Sequence, residues 1–306
     1  MKTLPLLIIL FSFLVRSVNS QTVTTVYGAY DGNQLWNADT IKITDDVTIN
    51  GTLTISPGTY IELHGHFEIT ADSILSVGNQ GDTIIYSVKD TLGFYQHDNP
   101  GGGWKGLTAY YMELDYCRIM FVKDYHLLHI RKDTTYLCHI RNSILQNNKC
   151  NFLVICNYDL MQWCYFRRNS IHIEETAFIN NQLNAGPPWI VKNCRFTGNT
   201  IKFTGSIVNS QLVRNKIITL FGEECSGMSI IACIFEKNDS LAISCSPYGF
   251  LGIASSLFNR NRNSTIQVYD HCHTNISYNT FFENEMSLLG SFEIFINNIF
   301  YSTHKS

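Results

Sequence analysis

Four consecutive residues late in this 306-residue chain carry side chains able to do chemistry: Asp270, His271, Cys272 and His273, within VYDHCH, residues 268–273. A carboxylate beside an imidazole can move protons as a general acid or base, so Asp270 and His271 are the candidate catalytic residues. All four are also metal-ligand types. On a strand only alternate residues share a face, so at most two would converge, and a metal would need partners from elsewhere in the fold. The plainer alternative is a solvated turn leading into NISYNTFF. A second group, His64, His66 and Glu68 of LHGHFE, has the spacing that puts three ligand types on one strand face. Exposed positions of an early strand account for it as well. No cofactor and no resident metal are expected.

The elements that must position such residues come from a repeat. Taking one large apolar residue per motif gives Leu145, Phe166, Phe178, Phe196, Leu212, Phe235, Phe258, Phe282 and Phe300, spaced loosely around twenty residues. The short step from Phe166 to Phe178 is too small for both to head complete coils. Two positions before these anchors stand small or modest residues, among them Ser143, Cys164, Cys194, Ser210, Cys233 and Ser256. Three positions after stand Asn148, Asn169, Asn181, Asn199, Asn215, Asn238 and Asn261, then Glu285 and Thr303. With 28 Asn in the chain, chance does not produce that column. Positions on either side of each anchor vary, which is the pattern of a strand with one buried and one exposed face. A single short strand per repeat cannot bury itself, but stacked coils can. Asn at a fixed point of each coil then repeats every ~4.8 Å, close enough for an amide ladder. Asn also tolerates the left-handed backbone of a sharp turn.

Residues 43–88 follow a different pattern. Val47 and Ile49, Leu53 and Ile55, Ile61 and Leu63, and Phe67 and Ile69 alternate with polar residues, and Gly, Asp or Asn marks the turns. These read as the cap and first coils. The ten cysteines show no compact spacing, so small buried filling is favoured for Cys117, Cys164, Cys194 and Cys233. A disulfide between stacked coils is possible at this spacing, with the pairing open. Trp104, Trp163, Trp189 and the tyrosines are candidate platforms for sugar rings, with NAGPPWIV, residues 184–191, as an exposed loop.

Residues 1–20 stand apart. Lys2, the apolar run LPLLIILFSFLV and the small residues of SVNS read as a secretory signal peptide, followed by a mature chain from Gln21. Removing Lys2 and Arg16 leaves twenty basic residues against 25 acidic ones, a net charge of −5. Such a surface does not steer toward nucleic acid or an anionic membrane. No membrane span, no nucleic-acid partner and a monomer outside the cell or at its surface are expected. The fold expectation is all-β: a single-stranded right-handed parallel β-helix over residues 21–303, with 304–306 as a short tail.

The order LTISPGTYIELHGHFEITADSILSVGNQGDTIIYSV, GGGWKGLTAYYMELDYCRIMF and then the N-x-x-F-x-x-N repeats resembles the secreted parallel β-helix proteins of Bacteroidetes-type bacteria, within the pectin-lyase-like superfamily. The resemblance implies three parallel sheets per turn and an association with polysaccharide. VYDHCH is similar to the V-W-I-D-H-C stretch of pectate lyases, sharing Val268, Asp270, His271 and Cys272. Those enzymes need calcium held by carboxylates and an arginine as base, so calcium is implied only for a lyase. The sequence places no such acidic cluster. Polygalacturonase-like N-T-D, D-D and G-H-G segments have only displaced echoes here, in Asp45–Asp46 and His64–His66. The leading expectation is a non-catalytic, carbohydrate-associated solenoid. A lyase or hydrolase and a purely structural or adhesive solenoid are the alternatives.

Overall fold

The computed structural model describes residues 21–94, 102–130, 137–155, 171–174, 176–179, 181–184, 189–203, 205–222, 227–301 and 304–305. Residues 1–20, Trp163, Cys164, Phe166 and Asn169 lie outside the described residues. Within them the chain forms 34 strands and no helix. No helix there is long and apolar enough to cross a membrane.

The strands fall into three parallel sheets, and each coil adds one strand to each sheet in turn. Sheet I carries the repeat. Its inward column runs through aligned Cα partners: Ile41, Ile61, Tyr86, Ile119 and Leu145, then, past the backbone of Phe178, Phe196, Leu212, Phe235, Phe258, Phe281 and Phe300. Sheet II follows each sheet I strand, as in Lys149–Ile155, Leu241–Cys245 and Ser264–Val268. Sheet III closes the coil, as in Tyr111–Asp115, Leu137–Arg141, Phe250–Ala254 and His273–Ser277. The chain is therefore a parallel β-helix, as the repeat implied. The first coils are drawn from the alternating segment. Thr40–Ile55 is one bent strand that pairs in turn with Tyr60–Leu63, Ile69–Ala71 and Ser73–Ser76, and so crosses all three sheets.

The core is the bore of the solenoid. Leu145, Phe196, Leu212, Phe235, Phe258 and Phe281 are each fully buried. Phe235, Phe258, Phe281 and Phe300 form a stack, with successive ring centroids 4.8, 4.8 and 4.6 Å apart. That is the strand spacing itself, so stacking and backbone pairing reinforce each other.

The asparagine ladder is continuous through Asn148, Asn181, Asn199, Asn215, Asn238, Asn261 and Asn284. Each Nδ2 donates to the next Oδ1 at 2.8–3.1 Å, and that Oδ1 also accepts the backbone N–H of the coil below. Three details bear on the sequence reading, of which the first and third differ from it. The anchor near residue 280 is Phe281, not Phe282, and its ladder residue is Asn284, not Glu285, because Phe281 pairs with Phe258 and is buried. Leu145 pairs directly with Phe178, and Asn148 bonds directly to Asn181, which agrees with the short step before Phe178 being too small for a full coil. The left-handed residue is not the ladder asparagine but the one before it: Asn147, Arg214, Lys237, Arg260 and Glu283 have φ of 49–56°. The ladder side chain must point inward, and a left-handed residue just ahead turns the chain to let it.

The small column two residues before the anchors does more than fill space. Ser143, Ser210 and Ser256 hydroxyls accept the N–H of Cys117, Cys194 and Cys233, and Asn279 accepts that of Ser256. Cys117, Cys138 and Cys233 are free and buried, in keeping with the filling role, and Cys150 and Cys194 are buried as well. At the far end, His304 and Lys305 pair with Glu285 and Met286, so residues read as tail extend sheet II.

Candidate functional site

Strand Ser264–Val268 ends before the VYDHCH chemistry begins, so alternation of faces does not apply to it. Tyr269, Asp270 and His271 form an exposed turn, with His271 at φ 63°. Cys272 turns inward and is disulfide-bonded to Cys245, which removes its thiolate from any metal set. His273 opens the next strand and sits 3.0 Å from Glu293. The LHGHFE residues do not share a strand face either. Tyr60–Leu63 ends before His64, which pairs with Glu62 at 3.1 Å, while His66 faces the Gly103 carbonyl and Glu68 accepts from Thr108. Asp46 is occupied in packing: it accepts the Glu68 N–H at 2.8 Å and pairs with Lys105 at 3.0 Å. Among the described residues, no group of three or more His, Cys, Asp and Glu converges.

The polar cluster the sequence did not single out lies on the outer face of sheet III. Inward Met112, Leu114, Cys138 and Ile140 are buried, so alternation sends Tyr111, Glu113, Asp115, His139 and Arg141 outward. Register aligns Glu113 with His139 and Asp115 with Arg141 on adjacent coils. Arg141 Nη2 lies 2.7 Å from Glu113 Oε1 and 3.4 Å from Asp115 Oδ2. Asn142 Nδ2 donates to Asp115 at 2.8 Å, and the Tyr111 hydroxyl reaches Glu113 at 3.4 Å. Burial, then the charge of Glu113, pushes the Tyr111 phenol up from its ordinary value, so it stays protonated and donates. The next coil aligns His172 with His139 and Glu174 with Arg141. Residues 111–141 are far apart in sequence yet one strand spacing apart in space. The i, i+2 pattern of YMELD and LCHIR was the only sequence signal for them.

Six strand spacings along the same sheet from Leu137–Arg141, about 29 Å at ~4.8 Å each, lies the turn that holds Asp270 and His271. His271 stacks on Tyr248 of the coil before, with centroids 5.3 Å apart and planes within 5°. The two turns are tied by Tyr248 N–H to His271 carbonyl at 3.1 Å and His273 N–H to Gly249 carbonyl at 3.0 Å. Of the proposed sugar platforms, Trp104 is fully buried, with Nε1 donating to the Met120 carbonyl at 2.8 Å. It packs the bore and presents no ring to solvent. The Trp189 backbone pairs with Ile171 and Gly205 in sheet III, while its side chain lies outside the described residues.

No protein-family model matches this chain, and no curated protein matches it. Among solved structures, the A-module of the mannuronan C-5 epimerase AlgE6 of Azotobacter vinelandii is similar over 92% of this chain and 90% of its own, at 12% identity and a TM-score of 0.25. The parallel β-helix assignment rests on the register of the three sheets, independent of that likeness.

Proposed function

We propose that the protein is exported and holds an extended polysaccharide along the outer face of sheet III, as a binding surface rather than a catalytic one. The observation that carries this reading is the cluster of Tyr111, Glu113, Asp115, His139 and Arg141 on neighbouring coils of one sheet. A polymer lying along the solenoid axis meets an outward side chain every ~4.8 Å. Carboxylates accept hydrogens from sugar hydroxyls, and a guanidinium donates to their oxygens. Here those groups are already oriented by one another, which lowers the cost of ordering them on binding. The protonated phenol and the ion-paired carboxylates favour binding over proton transfer.

One observation favours a hydrolase as the alternative. Glu113 and Asp115 share one Arg141 nitrogen, so their nearest oxygens are at most about 6 Å apart, near the separation of carboxylate pairs in glycoside hydrolysis. Both readings are tested on the mature protein by affinity electrophoresis in gels containing different polysaccharides, alongside assays for new reducing ends and for unsaturated products with and without calcium. Retardation that weakens about tenfold in Arg141→Ala, with flat product traces, is expected. A protein that no polysaccharide retards would overturn the binding reading, and product formation lost in Glu113→Gln would establish the alternative.

A further inference from the structure

We infer that the turn stack of Tyr248 and His271 is a second subsite of the sheet III face, and that its ligand is an uncharged, hydroxyl-rich polysaccharide rather than a polyuronate. This deepens the polymer-binding reading and rests on it.

The first support is shape. Tyr248 is 66% exposed and lies parallel to His271, so two rings present one aligned edge at the border of sheet III. Phe250 follows on the outward face of the first strand residue, 42% exposed. Its neighbours there are Gly227 and Gly252. A Cβ on Gly252 would come within 3.0 Å of Phe250 Cε1, and one on Gly227 within 3.6 Å of Cδ1. The glycines therefore leave the ring room to lie across the sheet as a floor. Aromatic faces carry partial negative charge and suit the weakly positive C–H faces of sugar rings.

The second support is rigidity. The Cys245–Cys272 disulfide joins the end of one sheet II strand to the residue after His271. With the inter-turn hydrogen bonds it holds both rings in register, so little order remains to be gained on binding.

The third support is charge. Beside the rings stand Asp270, exposed, and Glu293, which faces His273 Nδ1 at 3.0 and 3.1 Å. Farther along, Arg141 is shared between Glu113 and Asp115. A polyuronate laid on this face would bring its carboxylates to these acidic groups and to the negative ring faces, which repel it. Sugar hydroxyls meet no such penalty and find carboxylate acceptors.

The test uses the intact mature protein in affinity electrophoresis against hydroxyethyl cellulose and xyloglucan as neutral probes, polygalacturonate as the anionic probe and chitosan as the cationic one. The expected result is retardation by a neutral polymer, about tenfold weaker in Tyr248→Ala, retained in Tyr248→Phe, and none by polygalacturonate. Thermal unfolding of each variant checks that the turn is still folded. Retardation by polygalacturonate or chitosan alone overturns the ligand assignment. Neutral binding that falls in Arg141→Ala but not in Tyr248→Ala overturns the subsite and leaves the sheet III reading standing. Retardation by none of the probes overturns both.

Discussion

Replacing Asn238 by alanine tests the ladder directly. Asn238 is fully buried, and its Nδ2 donates to Asn261 Oδ1 and to the Leu212 carbonyl, both at 2.8 Å. Its Oδ1 accepts the Asn215 backbone N–H at 2.9 Å and Asn215 Nδ2 at 2.8 Å. Asn238→Ala thus leaves the buried Asn215 N–H without its acceptor and the Leu212 carbonyl without its side-chain donor. A buried polar group left unsatisfied costs about 1–3 kcal/mol, so two of them give roughly 2–6 kcal/mol. That is a large share of a typical domain stability of about 5–15 kcal/mol. The control is Asn193→Ala. Asn193 is exposed, accepts one side-chain hydrogen bond from Asn209 at 2.7 Å and has φ 54°, so its replacement is expected to cost about 1 kcal/mol, mostly from alanine in the left-handed region. Urea unfolding gives both values, and hydrogen exchange at the Asn215 amide localises the effect. If Asn238→Ala cost no more than Asn193→Ala, with the Asn215 amide equally protected, the ladder would not be a source of stability.

Two other perturbations have signed outcomes. Burial pushes the Cys117 and Cys138 thiols up to about 12 and Cys233 up to about 11, from an ordinary 9.0. Below pH 9 both states keep these protons; above it the unfolded chain releases them first, so stability falls by up to about 1.4 kcal/mol per pH unit per thiol. Cys138→Ala should flatten that alkaline decline relative to wild type in urea melts, and an unchanged slope would contradict the burial account. Gly290 has φ 107°, and a Cβ there would lie 2.0 Å from the Val268 carbonyl oxygen, whereas one on Gly227 meets nothing nearer than 3.6 Å. Gly290→Ala should therefore lower the melting temperature clearly, by more than about 1 kcal/mol in stability, and Gly227→Ala should change it little; equal melting temperatures would refute the clash.

Much of sheet I was legible because its constraints repeat. Asn148, Asn181, Asn199, Asn215, Asn238 and Asn261 all occupy the ladder positions assigned from spacing alone. The pattern slipped where two candidates stood side by side. TFFEN offers Phe281 and Phe282, and only pairing with Phe258 selects the first. The site was less legible. Asp270 and His271 attracted attention as neighbours in sequence, yet the turn exposes them beside Tyr248, six coils from Leu137–Arg141 and seven from Tyr111–Asp115.

The sequence by itself determined the class of architecture, because an inward column must repeat the same residue types in every coil to bury itself and satisfy its backbone. Only the tertiary structure decided which coils touch, that Cys245 bonds to Cys272, and that Arg141 meets Glu113 and Asp115. Outward residues obey no such repeat. Their partners sit one coil away, at a separation in sequence that changes with every loop: Leu145 reaches Phe178, but Phe196 reaches Leu212. Stacking turns that uneven separation into a constant distance of ~4.8 Å, and the outer face acquires its chemistry at that step.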